Sequence, residues 1–315
     1  MQFPLRPLRK EAARGPLGVK MRIAVHAGIC LALAGLPVGS AVVAAPAGVV
    51  AEGARNVQGG RAVQVLVAQA EIRSNINPSN IAVATGGGLI GGMLAASQNA
   101  SRTKKAEGLI EPVREALSDF DVDGLAQRTT GAALARVPWL QAAPVSFSKD
   151  SSPLGKSAAL DSIGAGQIAF IEYSYDFSPD FAELRVVATV EFANKAMPAA
   201  ATKPEARVSR KNLAYSQRVT TIVAAPFVVD EKSGNASLWA ADGGKAAREA
   251  LTLAFAEMEE LLPRTLALTA DQVAAMGAKT NKKSDVGGFQ GRVQDSPTGE
   301  TLLWGPGFIW YSGLN

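Results

Sequence analysis

The chain has 315 residues, 47% of them apolar and 19% charged, with a formal net charge of +4. That length holds one large or two modest domains with ample material for a core. The only histidine, His26, and the only cysteine, Cys30, both precede residue 45. Once that segment is removed, disulfides, thiolate chemistry, Ser-His-Asp triads and zinc held by His or Cys are excluded.

Residues 1–44 read as a secretory signal. Arg6, Arg9, Lys10, Arg14, Lys20 and Arg22 stand against one acid, Glu11, and an uncharged run follows from Ile23 to Ala44, ending in small residues before Ala45-Pro46. Met21 is an alternative start. The competing reading is an uncleaved anchor, since the run is about long enough to span a bilayer. Without this segment the chain holds 26 bases and 27 acids. The high pI therefore belongs to the leader, and no nucleic-acid partner is implied.

Residues 45–60 are small and rich in Gly and Ala, and read as a flexible leader to an α+β domain over 61–280. Val63, Val65 and Val67 alternate as in a strand. Then comes an uncharged stretch from Ser74 to Ser101, whose core, residues 81–100, carries five glycines. On a helix, Ala84, Gly88, Gly92, Ala96 and Ala100 would form one small-residue row, with Gly87, Gly91 and Ala95 beside it. Such strips let helices approach closely in membranes. Three readings stand: shallow membrane insertion of residues 81–96, packing within an oligomer, and a buried Gly-rich loop and helix inside the domain. The contact residues under the first two are Ala84, Gly87, Gly88, Gly91, Gly92, Ala95 and Ala96.

Further along, Leu109, Ile110, Val113, Leu117 and Phe120 space as a helix, and Asp123-Gly124 opens another that stops at Pro138. From Gln167 the period changes to two, and three long strands joined by short links predict an antiparallel meander. Asp242-Gly243 opens a covering helix whose apolar side runs through Ala250, Leu251, Ala254, Phe255, Met258, Leu261 and Leu262. Residues 281–315 predict a C-terminal hairpin, FQGRVQ against ETLLW, packing on the main domain. The expected fold is an α+β sandwich of a meander sheet with covering helices.

Three local patterns suggest chemistry. Gly86-x-Gly88-x-x-Gly91 copies a dinucleotide turn but lacks the following strand and acid of a βαβ unit, so no cofactor is expected. Asp119, Asp121 and Asp123 copy the opening of a calcium loop, but the twelfth position is Thr130, not glutamate; the plainer reading makes Asp123 a helix cap. Glu172, Asp176, Asp180, Glu183 and Glu191 cluster on the meander, and a carboxylate pair can hydrolyse glycosides without His or Cys. Solvent-facing strand positions are commonly charged anyway, and Tyr173, Tyr175, Phe177 and Phe181 read as core packing more readily than as a sugar platform.

Two passages, Tyr175-Asp-Phe-Ser-Pro-Asp-Phe-x-x-Leu-Arg-Val and Trp239-Ala-Ala-Asp-Gly-Gly, together with Val137-Pro-Trp-Leu140 and the signal, resemble a group of uncharacterised envelope proteins of Gram-negative bacteria. The resemblance covers roughly residues 105–265. It implies an envelope location and brings no activity, cofactor or catalytic residue. The expectation is a non-enzymatic exported protein, periplasmic or outer-membrane-associated. Its α+β domain would bind another envelope component, and residues 81–100 would give it membrane association or self-association. The alternative is a carboxylate-dependent hydrolase acting on envelope glycans.

Overall fold

A computed structural model describes residues 47–75, 89–141, 143–196, 203–226, 232–295 and 299–314; for 89–100, 102 and 232 it describes the backbone. The expected signal and the first part of the Gly-rich stretch lie outside these residues.

The described chain is α+β, as its two periodicities predict. A ten-stranded sheet runs in the order β3-β1-β4-β5-β6-β10-β9-β8-β7, with β2 beside β4. Its strands are β1 (Arg61–Leu66), β2 (Arg73–Ser74), β3 (Val145–Ser148), β4 (Gln167–Phe177), β5 (Glu183–Asn194), β6 (Tyr215–Ala224), β7 (Lys283–Val286), β8 (Phe289–Asp295), β9 (Glu300–Trp304) and β10 (Gly307–Gly313). The meander β4-β5-β6 is antiparallel and in long register, from Gln167 opposite Asn194 to Phe177 opposite Leu184. The β8-β9 hairpin forms as its turn sequence predicts. The sheet is nevertheless mixed, because β1 runs parallel to both β3 and β4, and β10 runs parallel to β6. Parallel partners need a long crossover, so no local turn in the sequence announces them.

The helices are the turn α1 (Glu52–Arg55), α2 (Leu89–Ala116), α3 (Val122–Ala135), α4 (Pro153–Ser162), α5 (Lys232–Ala267) and α6 (Ala270–Met276). Strand side chains alternate between faces, and this decides the layering. Tyr173, Tyr175 and Phe177 of β4 and Leu184, Val186 and Val190 of β5 point to one face, where α2, α3 and α5 cover them. Ile168 and Phe170 point to the other, where Leu160 of α4 and Val208 cover them. Further along that second face Ile222, Leu303 and Ile309 are covered by Val286 and Phe289 of the β7-β8 turn. Between these two covers the second face meets solvent.

Several expectations need correcting. Residues 47–60 are not a loose leader: Val50 and Ala54 sit in the main core. Arg61 fastens α1 there, its guanidinium donating to the carbonyls of Ala54 and Trp139 and to Gln167 while lying 4.6 Å over the Trp139 ring. Burial lowers its pKa to about 10. The Gly-rich run and the next predicted helix are not separate, since α2 is continuous from Leu89 to Ala116. The cap of α3 is Asp121, which accepts from the Gly124 amide at 2.7 Å; Asp123 lies in the first turn. Asp242-Gly243 does not begin a helix but interrupts one. Residues Asp242, Gly243 and Gly244 are all left-handed, and the helix both precedes and follows them. Gly244 is required twice over: it has φ +76°, and a Cβ there would sit 3.1 Å from the Ala116 Cβ.

Candidate functional site

The Gly-rich segment is placed in part. Ala84, Gly87 and Gly88 lie outside the described residues, as do Gly86 and hence the dinucleotide-like turn; Gly91, Gly92, Ala95 and Ala96 lie in the first two turns of α2. Further along, Ser101, Thr103, Lys104 and Lys105 are all exposed. They point in different directions around the axis, so this turn of helix is solvated on each described side. Ile110 is the first buried residue among the described side chains of α2, followed by Val113 and, just past its end, Leu117. The C-terminal end is held firmly: Arg248 of α5 donates to the Ala116 carbonyl at 2.5 Å and to Asp119. No helix among the described residues is long and apolar enough to cross a membrane.

Beside this anchored end lies a cleft of about 600 Å³. Ile72, Leu117, Val122 and Tyr175 form its floor, and Glu71, Glu111, Glu115 and Asp123 stand on its walls with Arg114 among them. Arg114 donates to the Ile72 carbonyl at 3.0 Å and lies 3.3 Å from Glu71 and 3.5 Å from Glu111. Burial works against its charge, but the surrounding carboxylates, Glu107 foremost, hold its pKa above the usual arginine value. Burial, reinforced by the charge of Asp123, pushes the Tyr175 phenol up to about 12. The cleft therefore offers acceptors and one clamped cation rather than a nucleophile with a base.

The three alternating aspartates do not converge. Asp119 pairs with Arg248, Asp121 caps α3 and lies 3.8 Å from Arg128, and Asp123 accepts from Lys149 at 2.7 Å. Among the described residues no cluster of three His, Cys, Asp or Glu side chains is placed to hold a metal.

The meander carboxylates are brought together more closely. Glu172 of β4 and Glu191 of β5 are diagonal neighbours on one sheet face, opposite Thr189 and Phe170 respectively, with Lys156 of α4 between them. Its Nζ donates to Glu172 at 2.7 Å and to Glu191 at 2.9 Å. Burial disfavours the ammonium, yet the two glutamates overcome this and raise its pKa. The space that a glycosidic oxygen and water would need between two carboxylates is filled by an ammonium. Glu183 accepts from Arg185 at 2.8 Å, and Arg185 also donates to the Gly287 carbonyl at 2.9 Å, closing the β7-β8 turn over the sheet. Asp180 is a turn residue, accepting from Ser178 Oγ at 2.6 Å. Asp176 alone is left over: it pairs in register with Arg185, its Oδ1 is buried with no hydrogen-bond partner, and burial pushes its pKa up to about 6 against the pull of Arg185. Lys156 escapes sequence reading, because nothing distinguishes it from a solvated lysine except its position four residues before Leu160, on the same helix face.

Comparison with family models, curated proteins and solved structures gives no match to this chain.

Proposed function

We propose that this chain is a non-enzymatic exported envelope protein with an interaction role, associating with a membrane or with itself through residues 81–100. One observation carries the reading most. α2 begins within the uncharged Gly-rich run, its side chains at 101, 103, 104 and 105 are exposed, and it joins the core at Leu109 and Ile110. An uncharged strip of small residues ahead of such a solvated turn fits contact with another helix or a membrane. The basic leader and the loss of His and Cys with it support export and argue against most hydrolytic chemistry. Alkaline extraction of membranes from producing cells, with intact mass read on each fraction, tests the export half. A species beginning near Ala45 is expected, and a product retaining Met1 or Met21 in the pellet would contradict it.

The second reading, a carboxylate-dependent hydrolase of envelope glycans, has one observation in its favour. Asp176 has a raised pKa in the range of a general acid, on a sheet face open between its two covers. Its test is turnover of peptidoglycan fragments that is lost in Asp176→Asn while the fold is retained. Absence of turnover in the unsubstituted chain eliminates it.

A further inference from the structure

The chain turns sharply where α5 ends at Ala267 and α6 begins at Ala270. Leu268 is buried in this corner, and Thr269 caps α6 in a reciprocal box, its Oγ accepting from the Gln272 amide while Gln272 Oε1 accepts from the Thr269 amide. The two helices diverge from this point. Ala267 and Ala275, both exposed, border the space between them, and Phe308 of β10 lies fully buried beneath it. The result is a cavity of about 320 Å³, apolar except at its rim, at the small end of the range for ligand sites.

The rim carries one cation. The Arg264 guanidinium lies 5.0 Å over the Phe308 ring and is exposed. No carboxylate among the described residues lies within ion-pair distance of it; Glu257, two turns earlier on α5, feels its charge without pairing. Gln272 has already given its oxygen to the cap, so its amide nitrogen is what remains for a ligand. The exposed carbonyls expected at a helix C-terminus would repel an anion here. That end is neutralised instead, since Arg55 Nη2 donates to the carbonyls of Leu266 and Leu268 at 3.4 and 3.1 Å.

An apolar cavity with a stacked, unpaired guanidinium at its mouth matches an apolar tail that ends in an anion. We propose that this corner binds an anionic amphiphile, a single acyl chain carrying a carboxylate or phosphate, with Arg264 holding the headgroup and Ala267, Ala275 and Met276 lining the chain. The site is independent of the association proposed for residues 81–100, so either can fail without the other.

The test uses the chain from Ala45 to Asn315, titrated calorimetrically below the micellar concentration with decanoate, decyl phosphate, decanol and decyltrimethylammonium, and with lysophosphatidylglycerol as the lipid-borne form. Saturable one-to-one binding of the anions is expected, with the trimethylammonium compound excluded. Arg264→Gln should weaken decanoate about 10- to 100-fold, the range of a charged hydrogen bond, and leave decanol unchanged. Ala275→Phe, on an exposed helix position, should abolish decanoate and decanol alike with the melting curve intact; Ala267→Leu is the second filling variant should the first fail to fold. Preference for lysophosphatidylglycerol over decyl phosphate would identify a lipid as the source, and the reverse a free acid. The proposal is overturned if no anion binds saturably, if the cationic analogue binds equally well, or if binding survives both filling variants.

Discussion

The indole Nε1 of Trp239 donates to the carbonyl oxygen of Phe181 at 2.7 Å. This single bond joins the two passages on which the resemblance rests, for Phe181 closes the turn after β4 and Trp239 lies just before the left-handed break in α5. Phe181 has a positive φ of 58°, unusual for an aromatic residue, and its ring stacks near Phe177, which in turn lies 5.2 Å from the Trp239 ring. Asn235 adds a second tie, donating to the Asp180 carbonyl at 2.9 Å. The turn is therefore held in a strained form by the first half of α5, and the Asp242-Gly243-Gly244 break lets the second half swing across the sheet.

Removing the indole donor isolates that tie. Trp239→Phe keeps most of the buried ring but leaves the Phe181 carbonyl unpaired, so a loss of about 2 kcal/mol in unfolding free energy is expected. Equilibrium denaturation measures it; a change within about 0.5 kcal/mol, ordinary for a surface substitution, would show that the turn holds itself.

Lys156 separates two glutamates that would otherwise repel each other. Lys156→Gln leaves both carboxylates partly buried without a counter-charge, and a cost of about 3 kcal/mol at neutral pH follows from breaking such a pair. Urea titrations at pH 7.5 compare Lys156→Gln with Lys156→Arg, and an equal loss in both would point to packing rather than charge.

Asp176 supplies a pH dependence with a definite sign. Its folded pKa, pushed up to about 6, lies above the ordinary value of 3.8. Between these values the folded state binds more protons than the unfolded one, so stability falls as pH rises through the window. Asp176→Asn should flatten this part of the curve. The check is melting temperature against pH from 4 to 7 for both proteins; superimposable profiles would remove the carboxyl from the account.

Asp121 distinguishes a cap from a calcium ligand. As the cap of α3 it predicts a loss of about 1 kcal/mol in Asp121→Ala, with no shift in melting temperature on adding millimolar calcium to the unsubstituted protein. A calcium-dependent shift that disappears in the variant would restore the ion-binding reading.

What the sequence makes legible follows the range of the interaction. The meander strands and the second half of α5 announce themselves through periods of two and 3.6, since each reports one buried face. The parallel pairings of β1 and β10 do not, because a parallel partner is set by tertiary contact far along the chain. The helix α4 is missed for another reason: its buried face carries Lys156 where an apolar residue is expected. Asp121 and Asp123 are equally good caps by composition, and only the position of the Gly124 amide separates them. Of the candidate site, the carboxylate cluster on the second face was readable from strand alternation, but the ammonium between Glu172 and Glu191 came from an element with no local signal.

The central claim concerns the Gly-rich segment, and its most direct test is sedimentation of the Ala45–Asn315 chain, alone and with phospholipid vesicles, beside a Gly88→Leu/Gly92→Leu double variant. The account predicts either a defined oligomer or co-flotation with vesicles for the unsubstituted chain, and its loss in the variant with the α+β body still folded. A monomer that ignores vesicles in both forms would contradict it and leave the segment a part of the soluble core.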